Sequence, residues 1–231
     1  RLRKELQHMG IADNTMIWFC SDNGPASLSE IGGPDWWFRR SRGVTGGLRG
    51  RKGSLFEGGV AVPALLEWPG HAKAGSVVEA PGSTLDYYPT IQEVLGFKMP
   101  DERPIDGVNL MPLIAGEMTE RPKAIPFCSP LAPRRTAHRS TSLALVDNNF
   151  KFMTNLSENG EEDILFDLVK DPAETTNIIG DHPEVAAQMK ASIREWFESC
   201  RMSHSGADYP TPFTPVNKFP VITAEGMRWI R

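Results

Sequence analysis

The spacing of apolar positions changes several times along the chain, and each change marks an element. Leu2, Leu6 and Met9 recur at helical spacing among charged residues, with Gly10 as a stop, which predicts a surface helix. Thr15-Met16-Ile17-Trp18-Phe19-Cys20 is nearly continuous in apolar character. A run without alternation predicts a strand buried on both faces of a mainly parallel sheet. Helix, turn and buried strand in that order make one α/β unit. Val60 to Trp68 resumes an extended apolar pattern, closed by Pro69-Gly70. Ser83 then reads as the N-cap region of a helix over Tyr87 to Leu95, stopped by Gly96. Asn109 to Ile114 predicts a further short helix.

Beyond Ala124 the runs become shorter and turn residues more frequent. Ala124 to Phe127, Thr141 to Val146, Phe150 to Thr154 and Ile164 to Asp167 read as short strands of a small antiparallel sheet. Pro183 to Met202 places Val185, Met189, Ile193, Trp196 and Phe197 on one stripe, so this helix is expected to pack on that sheet. Residues 205–231 mix prolines and aromatics without a period and read as an extended tail on another surface. The predicted class is α/β: residues 1–133 form part of a main α/β domain, 134–204 a smaller α+β subdomain with an antiparallel sheet and one long helix, and 205–231 the tail.

Composition narrows the function classes. The 231 residues carry a formal net charge of −4, which excludes a generally basic surface and argues against a nucleic-acid partner. No apolar run approaches the roughly 20 residues needed to span a bilayer. The three cysteines, Cys20, Cys128 and Cys200, are too scattered for a disulfide framework or a paired-ligand zinc site. The chain begins without Met, on a charged segment that lacks a signal-peptide core. It reads as a piece of a longer protein that starts inside a helix.

Candidate chemistry sits between Trp18 and Gly59. Ser21-Asp22-Asn23-Gly24 ends the apolar run with a carboxylate and an amide side by side. If the chain turns there, both can face one hard cation, calcium or magnesium, which takes oxygen ligands; Asp-Asn-Gly also serves as a plain turn. Arg49, Arg51 and Lys52 follow among glycines that let backbone approach a ligand closely, and a lysine is a point charge suited to a tetrahedral oxyanion. A solvated basic loop is the alternative. Basic residues also gather in Arg134 to Arg139, where His138 could face substrate, and residues 27–46 make a long loop suited to specificity.

The order Ser21-Asp22-Asn23-Gly24-Pro25, glycine-rich loop, then Gly47 to Gly70 resembles the sulfatase family of the alkaline-phosphatase-like superfamily. Leu85 to Ile91, Asp106 to Leu113 and Leu165 to Asn177 resemble the same family, in the same order. The resemblance implies that Asp22 and Asn23 are the second pair of metal ligands, usually for calcium, and that Lys52 is the catalytic lysine that contacts the sulfate. Glu57-Gly58-Gly59 matches a segment that shapes the loop. The substrate implied is a sulfated small molecule or glycan, and the location periplasmic, secreted or lysosomal.

The departure from the family pattern is as informative. No C-x-P-S-R or S-x-P-S-R motif, whose Cys or Ser becomes formylglycine, occurs in the sequence, nor does the first metal-binding Asp pair. Cys128-Ser129-Pro130 imitates the motif but continues as Leu131-Ala132 and lies downstream of the ligands. The expectation is the C-terminal portion of a sulfatase that supplies metal and sulfate ligands only, is inactive alone and is partnered by the N-terminal half of the same enzyme. Two rivals stay open: a phosphatase or phosphonate monoester hydrolase of the same superfamily, and a non-catalytic remnant binding sulfated glycans or a protein. Asn155-Leu156-Ser157 fits the N-glycosylation pattern.

Overall fold

The computed structural model describes residues 1–26, 43–99, 101, 103–129, 142–209 and 220–228. Its helices are α1 (Leu2–His8), α2 (Glu57–Val60), α3 (Tyr87–Leu95), α4 (Met111–Ala115) and α5 (Pro183–His204). Its strands are β1 (Ile17–Cys20), β2 (Ala64–Glu67), β3 (Ile125–Cys128), β4 (Leu143–Asp147), β5 (Phe150–Thr154), β6 (Ile164–Asp167), β7 (Val221–Thr223) and β8 (Gly226–Arg228). The chain forms two compact units, Arg1–Asp22 with Val62–Lys123 and Asn23–Ala61 with Ala124–Arg231.

In the first unit β1 pairs antiparallel with β2, Trp18 opposite Leu66 and Phe19 opposite Leu65. This corrects the expectation of a strand buried on both faces in a mainly parallel sheet. Successive side chains on a strand point to opposite faces, and among the described residues one face of β1 is covered: Trp18 packs on Tyr87 with ring centroids 4.4 Å apart. On the other face Phe19 is 63% and Leu65 66% exposed. Apolar continuity therefore described the residues of β1 without describing their surroundings.

Polar anchoring holds the rest of this unit. The Ser83 hydroxyl accepts from Leu85 N–H, and Asp86 Oδ2 accepts from Ser83 N–H at 2.7 Å, a reciprocal cap ahead of α3. Arg121 forks onto Asp86 with two contacts of 2.6 Å, both side chains fully buried. Asp86 Oδ1 also accepts from Val108 N–H, and Thr90 Oγ1 accepts from Leu110 N–H. Two of the segments that carry the family resemblance are thus scaffold.

The second unit is a four-stranded antiparallel meander, β3-β4-β5-β6. Alternation splits its side chains into two buried sets. Leu143, Leu145, Phe152 and Leu165 pack with Met189, Ile193 and Phe197 of the expected stripe of α5 and with Ala186, while Val185 and Trp196 of that stripe are partly buried at its edge. Ala144, Met153 and Phe166 on the other face pack with Leu55 and Phe56. Full burial of each Leu, Ile, Met or Phe side chain here contributes about 1.5–3 kcal/mol. Within the stretch read as an extended tail, β7 and β8 form a hairpin whose Met227 joins the α5 cluster. Met227 N–H donates to Asn155 O at 2.7 Å.

Candidate functional site

Asp22 and Asn23 lie just beyond the end of β1, where the strand gives way to Gly24-Pro25. Asp22 is exposed, with Ser21 Oγ at 3.4 Å from its Oδ1. Asn23 Nδ2 donates to Gly24 O at 2.9 Å, which assigns the amide nitrogen to the backbone. Gly24 N–H donates to Gly59 O, and Lys52 N–H donates to Pro25 O at 3.1 Å. The segment after Asn23 is thereby stitched to Lys52 itself and to Gly59, just past its loop.

That loop is shaped locally by glycine. Ser54 N–H donates to Arg51 O across a turn with Gly53 at φ +88, a left-handed position that favours glycine. Lys52 occupies the turn beside it and its side chain is exposed. Gly58 N–H donates to Arg49 O at 2.7 Å, and a Cβ on Gly58 would lie 2.4 Å from Gly50 O. Downstream, Leu55 and Phe56 leave the turn and sink into the sheet.

Beneath the loop lies a buried ionic group that the pattern of the sequence does not reveal. Lys151 of β5 is wholly buried, with Nζ 2.9 Å from Glu57 Oε1 and 3.0 Å from Glu174 Oε1. The second contact is an ion pair without hydrogen-bond alignment, since Glu174 Oε1 has no hydrogen-bond partner among the described residues. Glu174 Oε2 accepts from Glu57 N–H at 2.6 Å, and Glu174 O accepts from Arg49 Nη1 at 2.7 Å. The Arg49 guanidinium lies 4.0 Å over the Phe56 ring. Burial raises the Glu174 carboxyl above its ordinary value, with the Lys151 charge opposing.

Other candidates separate from this site. Cys128 is exposed at the residue level, yet desolvation around its sulfur pushes the thiol up to about 11, so it is protonated at neutral pH and a poor nucleophile. Asn155 of the glycosylation pattern has its Nδ2 engaged with Glu162 and its Oδ1 accepting from Ser157 N–H. A glycan on Nδ2 would compete with the Glu162 contact. His138, Arg134 to Arg139 and residues 27–42 of the specificity loop lie outside the described residues.

The donor chemistry of Asp22 and Asn23 fits a hard cation as far as it goes, one carboxylate and one amide oxygen. Among the described residues no group of three or more His, Cys, Asp or Glu side chains forms a metal cluster. The two residues offer two oxygen donors, fewer than the roughly six to eight that a calcium site takes. No described helix is long and apolar enough to cross a membrane.

Comparison with known proteins gives the wider frame. A sulfatase family model matches residues 1–97, and a model described as N-sulphoglucosamine sulphohydrolase, C-terminal, matches residues 51–199. The steryl-sulfatase of Rattus norvegicus is 31% identical over 215 residues, 82% of this chain and 36% of that relative. The N-acetylgalactosamine-6-sulfatase of Homo sapiens is 41% identical over 120 residues, 51% of this chain and 21% of that relative. The chain thus spans only about a third of the length of the steryl-sulfatases it matches. The solved structure of Ps i-CgsB matches with a TM-score of 0.67 at 28% identity, over 84% of this chain and 39% of that one; it is also solved in complex with k-i-k-neocarrahexaose. The chain belongs to the sulfatase family and has an α/β fold of the alkaline-phosphatase-like kind.

Proposed function

We propose that this chain is the C-terminal portion of a sulfatase, presenting Asp22 and Asn23 to a divalent cation and Lys52 to the sulfate of an ester that the intact enzyme hydrolyses. The observation that carries the reading is the 3.1 Å hydrogen bond from Lys52 N–H to Pro25 O. It ties the loop bearing a solvent-facing ammonium to the segment that directly follows two oxygen donors. Calcium is the cation proposed, with magnesium as the alternative. When bound, the cation supplies Lewis-acid polarisation of the sulfate, and a formylglycine in the N-terminal half of the enzyme supplies the nucleophile.

The residues of this chain divide the remaining work. The Asp22 carboxylate contributes charge and the Asn23 amide oxygen a neutral donor, its nitrogen being held by Gly24 O. Lys52 offers three N–H donors to sulfate oxygens, where it stabilises negative charge as the ester oxygen departs. Arg49 and Glu57 are engaged with Glu174 and Lys151, so they support the loop. A sulfated small molecule or glycan is the substrate class; the oligosaccharide bound by Ps i-CgsB supports the glycan.

The test uses the intact enzyme, an aryl sulfate and the matching aryl phosphate. Lys52→Ala is expected to lower sulfate-ester turnover by about 10²–10³-fold, the usual cost of one oxyanion donor. Asp22→Ala or chelation should remove activity that added calcium restores only in the parent protein. Preference for the phosphate ester would favour the phosphatase reading. Binding of sulfated glycan by a protein without turnover, indifferent to calcium and to Asp22→Ala, would mark a non-catalytic remnant. Enzyme-like turnover by the 231-residue chain alone would overturn the assignment of the nucleophile to the N-terminal half.

A further inference from the structure

Glu174 contacts the Lys52 loop at two places with two different parts of itself. Its main-chain carbonyl accepts from Arg49 Nη1 at 2.7 Å, on the leg that enters the turn. Its carboxylate accepts from Glu57 N–H at 2.6 Å, on the leg that leaves it. Gly58 N–H then closes the two legs on each other by donating to Arg49 O at 2.7 Å. Lys52 lies between these fixed points, three residues after Arg49 and five before Glu57.

Two features show that this grip is maintained against cost. Glu174 has φ +54, a left-handed conformation that a non-glycine residue adopts only when its surroundings over-determine it. It is also completely buried, and a buried carboxylate persists only beside a compensating charge. Lys151, wholly buried between Glu174 and Glu57, provides that charge from β5, 94 positions along the chain from Glu57. Asp171 closes the turn around Glu174 by accepting from Thr175 N–H and Thr176 N–H on its far side. Neither Glu174 nor Lys151 reaches solvent as a substrate contact needs to, and both bear on one loop.

We propose that Glu174 is a positioning residue for Lys52, clamping both legs of its loop onto the sheet, with Lys151 as the buried counter-charge that keeps the clamp closed. The inference rests on the reading of Lys52 as the sulfate contact. It adds a residue that touches neither sulfate nor metal and acts through backbone geometry. A loop free to shift by about an ångström would misplace the ammonium, and a misplacement of that size costs up to about a hundredfold in rate.

A double-mutant cycle in the intact enzyme separates this from a merely structural role. Glu174→Ala is expected to lower kcat/KM for an aryl sulfate by about tenfold to a hundredfold when Lys52 is present. In the Lys52→Ala background the same change should matter by less than about twofold, because the group being positioned is gone. Glu174→Gln, which keeps the side-chain acceptor for Glu57 N–H that Glu174→Ala lacks and leaves Glu57 as the counter-charge of Lys151, should recover most of the loss; it also serves if Glu174→Ala does not fold. Equal losses in both backgrounds, or no rescue by Gln at matched thermal stability, would overturn the proposal. If Lys52→Ala alone leaves kcat/KM unchanged, the sulfate-contact reading fails and the clamp fails with it.

Discussion

Both compact units bury a basic side chain completely, and they put it to different use. In the first, Arg121 forks onto Asp86, which also accepts from Ser83 N–H and Val108 N–H. The pair satisfies a hub of turns in a unit whose β1–β2 ribbon leaves Phe19 and Leu65 exposed. In the second, Lys151 sits on a sheet covered on both faces, by α5 on one side and by Leu55 and Phe56 on the other. Its two carboxylate partners come from the loop that carries Lys52 and from the turn after β6. One buried ion pair joins scaffold to scaffold, whereas the other joins scaffold to the proposed anion-binding loop. Burying charge is costly in either case, but only in the second does the cost bear directly on the loop proposed to hold the sulfate.

Removing Arg121 is the most severe way to probe this contrast. Arg121→Met leaves Asp86 buried without its counter-charge and is expected to cost about 3–5 kcal/mol of unfolding free energy. Urea unfolding followed through Trp18 and Trp68, both in the first unit, measures it; a loss below about 1 kcal/mol would mean that apolar packing substitutes for the pair. A smaller effect is expected from Gly58→Ala, whose Cβ would fall 2.4 Å from Gly50 O and 2.5 Å from Arg49 O. Overpacking of this kind costs about 1–3 kcal/mol. Sulfate-ester turnover in the intact enzyme should fall more than its thermal stability does, and unchanged turnover would show that the close approach of the two legs is dispensable.

The smallest effect concerns pH. Hydrogen bonds from Thr176 N–H first, and from Thr175, hold the Asp171 carboxyl below its ordinary 3.8. A depressed folded-state value stabilises the protein above the unfolded value, and the benefit is lost as pH falls through the folded one. Asp171→Asn should therefore melt lower than the parent protein near neutrality and converge with it in acid. Glu174 has the opposite sign: burial raises it above 4.5, so its contribution is present below that value and is lost as pH rises through the folded one. Melting curves from neutral pH into acid check both, and a gap between parent and Asp171→Asn that persists in strong acid would refute the Asp171 assignment.

Much of the fold was legible in local pattern. Strands at Phe150–Thr154 and Ile164–Asp167 and a helix beginning at Pro183 stand where periodicity and turn residues put them. The Ser83 cap and the left-handed Gly96 stop of α3 do as well. The surroundings of β1 were not legible, because an apolar run reports preference for burial and not which faces are covered. The hairpin at Val221–Arg228 was missed because its three-residue strands are too short to show a period. Within the strand Phe150–Thr154 nothing local marks Lys151 as buried, since a charged residue is ordinarily solvated. Only the loop around Phe56, packed on its side of the sheet, makes it interior.

The amino-acid sequence by itself determined most of the elements, the cap at Ser83 and the stop at Gly96, and the adjacency of Asp22 and Asn23 at a strand end, because each depends on residues within a few positions. Tertiary structure alone decided that Glu174 meets Glu57 across 117 positions and Arg49 across 125. The cost of a buried charge depends on which other charges arrive beside it, and over such separations spacing along a chain does not specify who arrives. Asp22, Asn23 and Lys52 were therefore readable as candidate chemistry, while the contacts of Glu174 with the two legs of the Lys52 loop existed only once the chain had folded.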